Sequence, residues 1–109
     1  MKRYPVELSE QALLDLDDVA DYIAAHDGAD RGEHIAQGIE KTYSSLALFP
    51  SRGAHPRELL EMGIRDFCEV HFKPYRIIYR VYERKVVVFL IADGRREMQT
   101  LLARRLLGA

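Results

Sequence analysis

The feature that most constrains the fold is a pair of apolar runs separated by three charged residues. Residues 75–82 and residues 86–92 are rich in β-branched and aromatic side chains, and only Glu83, Arg84 and Lys85 lie between them. This composition and spacing predict an antiparallel hairpin. The second run is apolar at every position, which is typical of a strand that is covered on both faces. We therefore expect the hairpin to form the centre of a sheet.

Four arginines interrupt or follow the hairpin. Arg76 and Arg80 lie in the first run, whereas Arg95 and Arg96 follow the second. We expect them to converge at one edge of the sheet, because antiparallel pairing brings the start of one strand beside the end of the next. Guanidinium groups gathered in this way suit an anionic or acidic partner.

The N-terminal half predicts a strand followed by a helical hairpin. The side chains of residues 2–8 alternate between two faces, as in a strand. Ser9 can cap a helix that ends near Gly28. Asp30 and Glu33 resemble a capping box and predict the start of a second helix. The expected buried stripes are Ala12, Leu13, Leu16, Val19, Ala20 and Ile23 in the first helix, and Ile35, Ile39, Tyr43, Leu46 and Phe49 in the second.

The remaining segments complete the predicted topology. Residues 50–63 show no periodicity, residues 64–72 alternate as a strand, and residues 95–107 have helical spacing. The predicted order is β-α-α-β-β-β-α. We expect an α+β fold in which an antiparallel sheet carries the N-terminal helical hairpin on one face. A chain of 109 residues has the length of a single domain, residues 1–109.

The charge is unevenly distributed. The formal net charge is −1, but residues 1–50 hold ten acidic against four basic side chains, and residues 73–109 hold nine basic against three acidic. This asymmetry predicts an acidic helical face and a basic working end. Proteins that bind nucleic acid through counterion release are usually basic overall, so we expect no direct sequence-specific binding of DNA.

Composition also argues against metal, disulfide and membrane roles. Cys68 is the single cysteine, so neither an internal disulfide nor a multi-cysteine metal site is expected. The acidic residues of the first helix are interpreted as solvated surface charge, and no cofactor is expected. No run approaches the ~18 apolar residues that span a bilayer. A cytoplasmic location without membrane contact is the simplest interpretation.

Five short motifs, in this order and at these spacings, resemble the RelE/ParE superfamily of bacterial type II toxins. They are an early Ala-Leu-x-Asp-Leu segment at 12–16, Phe-Pro at 49–50, Gly-Ile-Arg at 63–65, Tyr-Arg-Ile-Ile-Tyr-Arg-Val at 75–81 and Gly-Arg-Arg-Glu at 94–97. The resemblance covers nearly the whole chain and implies the superfamily's α+β fold.

The resemblance implies one of two activities. RelE-like toxins are ribonucleases that cut messenger RNA on the ribosome, whereas ParE-like toxins lack known nuclease activity and poison DNA gyrase. Cleavage of RNA needs a base for the 2′-hydroxyl, a cation for the charged phosphorane and an acid for the leaving oxygen. In RelE-like enzymes these roles fall on basic residues of the second strand, two arginines, and a tyrosine or histidine near the C-terminus.

This sequence keeps the two arginines and departs at the other positions. Arg76 and Arg96 match the superfamily arginines, but Phe67 and Glu69 stand where the second strand would be basic, and the C-terminal position falls near Leu102. A carboxylate on the second strand would also repel RNA phosphate. The departures favour gyrase inhibition over ribonuclease activity, and the paired arginines followed by an acid are also similar to ParE.

The resemblance also implies site residues. The target-binding residues would be Arg76, Arg80, Arg95 and Arg96. The antitoxin-binding residues would be Arg65, Arg104 and Arg105. A ribonuclease would instead use Arg76, Arg96 and His71. The structural alternative for Arg76 is an ion pair with Glu69 or Asp66, and for the paired arginines it is simple solvation.

The predicted function is therefore that of a growth-inhibiting toxin of a type II toxin–antitoxin system, of the kind involved in plasmid maintenance. Its predicted partners are DNA gyrase and a cognate antitoxin, whose flexible and often acidic C-terminal segment would fold on binding. Two alternatives remain open. One is a ribosome-dependent endoribonuclease that acts on messenger RNA, and the other is an inactive or regulatory binding module.

Overall fold

A computed structural model describes residues 3–108. The predicted order of elements is confirmed, with one additional short helix between the second helix and the second strand. The elements are β1 (Val6–Leu8), α1 (Glu10–Asp27), α2 (Ala29–Ser44), α3 (Arg57–Leu60), β2 (Cys68–Phe72), β3 (Tyr75–Val81), β4 (Val86–Asp93) and α4 (Met98–Leu107). A single 3₁₀ turn, Ser45–Ala47, follows α2.

The four strands form one sheet in the order β1-β4-β3-β2. The central hairpin is confirmed, because β3 pairs antiparallel with both β2 and β4. The expectation of a wholly antiparallel sheet was wrong at one edge, where β1 runs parallel to β4 from the pair Val6–Val86 to the pair Leu8–Val88. Three helices, α1 to α3, and two strands, β2 and β3, separate β1 from β4, so no tight turn fixes their relative direction. Lys2, predicted as the start of β1, lies outside the described residues.

The helical hairpin packs on one face of the sheet, as expected. The hydroxyl of Ser9 accepts a hydrogen bond from the amide of Ala12, which confirms the predicted cap of α1. Gly28, at φ +98°, makes the whole connection to α2. The predicted capping box at Asp30 was therefore wrong, because α2 already begins at Ala29 and has no side-chain cap.

Two residues of the predicted helical stripes are exposed. Leu13 of α1 is half exposed, and Phe49 lies beyond the end of α2 with more than half of its surface exposed. Regular α-helix stops at Ser44 and tightens into the 3₁₀ turn, so the helical spacing that included Phe49 does not continue that far.

The strand predicted over residues 64–72 was too long at its start. Regular pairing in β2 begins at Cys68, although Phe67 is buried. The preceding segment, predicted as a loop, contains α3 and returns to the sheet at Ala54, which exchanges two backbone hydrogen bonds with Glu69.

Two apolar clusters cover the two faces of the sheet. The larger lies under α1 and α2 and includes Ala12, Ile35, Ile39, Leu46, Ile77, Tyr79 and Val88. The smaller lies under α3 and α4 and includes Leu59, Phe67, Ile78, Leu90, Met98 and Leu102. A bulge at Phe89 shifts the register of β4, because Val88 pairs with Tyr79 whereas Leu90 pairs with Ile78.

The last helix begins three residues later than predicted. The carboxylate of Glu97 accepts hydrogen bonds from the amides of Gln99 and Thr100, so the helix starts at Met98 rather than at Arg95. Arg95 and Arg96 consequently lie in the turn that joins β4 to α4. No helix within residues 3–108 is both long and apolar enough to cross a membrane.

Candidate partner-binding surface

Arg76 lies in a network of carboxylates on the face of the sheet that α3 covers. Its Nε donates to Glu69 Oε1 at 2.6 Å, and its two terminal nitrogens donate to the two oxygens of Glu58, each at 2.8 Å. The side chain of Arg76 is 14% exposed and that of Glu58 is 18% exposed. The hydrogen bonds from Arg76 lower the pKa of Glu58 to about 2, and the same bonds raise the pKa of Arg76.

The sequence anticipated only part of this network. Glu69 was correctly considered as a partner of Arg76, but Asp66 lies instead 3.5 Å from Arg80. Glu58 was missed because α3 was not predicted. His71, a residue of the predicted ribonuclease site, has its Nε2 3.6 Å from Glu69 Oε2.

Arg80 lies beside two aromatic rings. Its guanidinium carbon is 5.0 Å from the ring centre of Tyr82 and 5.9 Å from that of Phe67. A terminal nitrogen of Arg80 lies 3.5 Å from the Asp66 carboxylate, and both charged side chains are partly exposed. Arg80 therefore makes cation–π contacts with both rings at the surface.

The two arginines after β4 differ in their contacts. Arg95 is well exposed and forms a forked pair with Asp93, with Nε at 2.9 Å and one terminal nitrogen at 2.6 Å from the carboxylate oxygens. These hydrogen bonds lower the pKa of Asp93. Arg96 is exposed, and its side chain meets no salt-bridge partner among residues 3–108.

Arg105 is held inside the fold. It donates to both oxygens of Asp15, at 2.8 and 3.0 Å, and to the carbonyl of Phe89 at 2.9 Å. The same Asp15 carboxylate accepts the amide of Ile91 at 2.9 Å. The interpretation of the acidic residues of α1 as solvated charge was therefore wrong for Asp15, which is largely buried. A link between α1 and the end of α4 leaves no periodic signal in the sequence.

The predicted site residues do not form one cluster. Arg96 and Arg104 line the same shallow depression on the outer face of α4, together with Glu97, Thr100 and Leu101. The Glu97 carboxylate accepts the two amides at the start of the helix. Arg76 and His71 line a separate depression beside α3. Arg65 and Arg104 are exposed and form no salt bridge within the described part of the chain. The target-binding and antitoxin-binding roles of these arginines remain predictions.

The positions that would carry ribonuclease chemistry hold other groups. Phe67 and Leu102 are buried in the smaller apolar cluster, and Glu69 is bonded to Arg76. Burial raises the pKa of the Cys68 thiol, which disfavours a reactive thiolate. Residues 3–108 bring together no group of three or more side chains suited to holding a metal ion. Binding of anionic or acidic groups by the exposed arginines of this surface stays a prediction.

Comparisons with known proteins agree on the family. The model of the ParE toxin family, described as the toxin of the type II toxin–antitoxin system parDE, matches residues 6–98. Toxin ParE3 of Caulobacter vibrioides is 30% identical over 91 residues, which cover 84% of this chain and 87% of that protein.

Two solved structures share the fold. A chain of the chromosomal ParDE toxin–antitoxin system from P. aeruginosa superposes with a TM-score of 0.70 at 16% identity, over 84% of this chain and 96% of that one. A chain of the toxin–antitoxin complex RelBE2 from Mycobacterium tuberculosis gives a TM-score of 0.58 at 22% identity, over 85% and 93%. The match over residues 6–98 and the identity to ParE3 show that this chain belongs to the ParE toxin family of type II toxin–antitoxin systems.

Proposed function

We propose that this ParE-family toxin inhibits growth by poisoning DNA gyrase, without chemistry of its own, and that a cognate antitoxin neutralises it. The observation that carries the proposal is the carboxylate network around Arg76. An arginine that serves a phosphorane directs its donors at the phosphate. Here three of the five N–H donors of the guanidinium, one on each nitrogen, point instead at Glu58 and Glu69.

The surroundings of that arginine support binding over cleavage. Two of the three positions matched to acid and base groups in RelE-like enzymes are the buried side chains of Phe67 and Leu102, which can neither accept nor donate a proton. The third is Glu69, whose carboxylate is bonded to Arg76. The depression is lined by the carboxylates of Glu58 and Glu69 as well as by Arg57, His71 and Arg76, so the carboxylates offset part of its attraction for RNA phosphate.

The unpaired arginines supply a surface for a protein target. Arg96 and Arg104 flank one depression on α4, and neither is engaged by a carboxylate within residues 3–108. Exposed cations of this kind attract an acidic protein surface and speed the encounter with it. Because their guanidinium groups are planar forks, they can also bind a carboxylate with two hydrogen bonds.

The decisive experiment incubates the purified chain with gyrase and supercoiled DNA and measures accumulated cleavage complexes. The wild type should promote them, and Arg96→Ala should need about tenfold more protein, corresponding to about 1.4 kcal/mol of lost binding. Arg84→Ala is the matched control, since Arg84 is exposed in the turn at the opposite end of β4. No accumulation under conditions in which a known poison works would overturn the proposal.

A ribosome-dependent ribonuclease is the second candidate, because His71 and Arg76 line the same depression. Cells that express the chain alone should be tested for both DNA damage and messenger-RNA integrity. Cleaved transcripts that disappear with His71→Ala would select the ribonuclease. Half of the His71 side chain is exposed, so this substitution leaves the fold intact. Unaffected growth would select an inactive or regulatory module.

A further inference from the structure

Strand β4 is longer than the strand that covers its outer edge. β1 pairs only with Val86–Val88, and its last contact is the hydrogen bond from the amide of Ser9 to the carbonyl of Val88. β4 continues to Asp93. Its outer edge from Phe89 to Asp93 therefore has no neighbouring strand in the described part of the chain. An open edge of this kind is a template for pairing with another chain.

Four backbone groups of this edge point outward. The Ile91 amide bonds to Asp15 and the Phe89 carbonyl bonds to Arg105, so both groups point away from β3. The amide and carbonyl of one strand residue share a side, and so do the groups of residues two apart. The Ile91 carbonyl and the Asp93 amide therefore also point outward. Neither of these two groups meets a hydrogen-bond partner within residues 3–108.

The outward groups of the edge are complementary to themselves. When a second copy lies alongside in the antiparallel direction, the two Ile91 residues can face each other and exchange two hydrogen bonds. The two-fold axis then places the Asp93 amide of each copy opposite the Phe89 carbonyl of the other. About four hydrogen bonds would thus join the two sheets into one continuous sheet.

A shielded ion pair occupies two of the groups that this pairing needs. The Asp15 carboxylate accepts the Ile91 amide, and the Arg105 guanidinium donates to the Phe89 carbonyl, each at 2.9 Å. The two side chains also bond to each other at 2.8 and 3.0 Å, and they are 15% and 17% exposed. Asp15 comes from α1 on one face of the sheet and Arg105 from α4 on the other. The pair therefore closes over the edge.

The charges beside the edge suit a second copy of the chain. A groove of about 500 Å³ lies open between α1 and the end of β4, and its lining includes both carboxylates and guanidinium groups, those of Asp15, Asp18, Asp93, Arg95 and Arg96. A segment of one charge would meet like charge on one side of this groove. A second copy brings both signs, and the antiparallel direction of its strand reverses their order.

We infer that the Asp15–Arg105 pair is a clamp that keeps the chain monomeric, because it occupies the edge at which a second copy would otherwise pair with β4. A second copy would have to displace the carboxylate from the Ile91 amide and the guanidinium from the Phe89 carbonyl. Both side chains would then lose their shielded partners. The inference is independent of the proposed function, since it concerns the free chain alone.

The test removes the clamp and measures association by sedimentation velocity at concentrations up to about 200 µM. The double variant Asp15→Ala/Arg105→Met frees both backbone groups and leaves no charge without its partner, so it should remain folded. It should dimerise at least about tenfold more tightly than the wild type, which should stay monomeric. The matched control Asp18→Ala/Arg104→Met changes exposed residues of the same two helices and should also stay monomeric.

A further substitution identifies the contact as the edge of β4. Asp93→Pro removes the outward amide without breaking the ladder to β3, so it should abolish the dimer when added to the double variant. Circular dichroism establishes that each variant is folded. In the wild type, the clamped Ile91 amide should exchange its hydrogen at least about tenfold more slowly than the Asp93 amide.

Three results would overturn the inference. The first is a folded double variant that is monomeric throughout the concentration range. The second is a dimer that persists after Asp93→Pro, because the contact then lies elsewhere on the molecule. The third is a wild type that dimerises as tightly as the double variant, or whose Ile91 amide exchanges as fast as that of Asp93, because the pair then closes nothing. A dimer that forms on loss of the clamp and disappears with Asp93→Pro supports it.

Discussion

Removing the charge of Glu58 should make the protein less stable by an amount that depends on pH. Glu58 accepts two hydrogen bonds from Arg76, and these bonds lower its pKa from 4.5 to about 2. At about 1.36 kcal/mol for each pKa unit, this difference corresponds to about 3 kcal/mol of stability. Because the pKa is lowered in the folded state, the contribution is complete above the unfolded value of 4.5. It is lost as the pH falls toward 2.

Urea unfolding of the wild type and of Glu58→Gln, at pH 7 and at pH 3, tests this reasoning. The variant should be less stable by about 3 kcal/mol at pH 7, and the difference between the two proteins should shrink by about 2 kcal/mol at pH 3. Glu61→Gln is the matched control, because Glu61 is exposed and lies 3.9 Å from the exposed Arg57. That variant should lose less than about 0.5 kcal/mol. A difference for Glu58→Gln that is the same at both pH values would refute the electrostatic account.

Three further substitutions test contacts within the fold by the same unfolding measurement. Tyr79→Phe should cost about 1–3 kcal/mol, because the buried hydroxyl is hydrogen-bonded to two backbone groups of the loop after α2. The control Tyr82→Phe, at a partly exposed ring, should be nearly neutral. Asp15→Ala should cost about 3 kcal/mol by leaving the Arg105 guanidinium without a carboxylate and the Ile91 amide without an acceptor. Asp18→Ala on the same helix should cost less than about 0.5 kcal/mol. Gly38→Ala should cost about 1–3 kcal/mol, since the added methyl group would overlap with the ring of Phe72 in β2. Equal stability of variant and wild type would contradict this close packing.

Periodicity was sufficient to predict the elements that form the two apolar clusters. Apolar residues recur at regular spacing in the strands that begin at Tyr75 and Val86 and in the helices that follow Ser9 and Gly28. Such spacing is expected in any element that buries a face in the core. The four-residue helix α3 is too short to show such a pattern. Its absence from the prediction removed Glu58 from consideration as a partner of Arg76.

Long-range ion pairs were the main gap in the predicted site. Asp15 and Arg105 are separated by 90 residues in the sequence. In the sequence pattern, Asp15 is one of several acidic residues on the polar face of α1. Nothing in the spacing distinguishes Asp15 from its exposed neighbour Asp18. Side-chain contacts between distant elements depend on how helices are placed over the sheet, which local sequence patterns do not encode.

The arginines fall into two groups, those paired within the fold and those exposed to solvent. Salt should weaken the electrostatic interactions of the two groups to different extents. Arg76 and Arg105 are paired within the fold and shielded from solvent, so added electrolyte screens their interactions weakly. Arg96 and Arg104 face solvent, and their attraction to a partner weakens as the Debye length falls from about 10 Å at 0.1 M to about 3 Å at 1 M. The ionic-strength dependence of partner association should therefore reflect a few exposed guanidinium groups rather than all nine cations of the C-terminal third. The folded protein should remain stable at salt concentrations that slow its association with a partner.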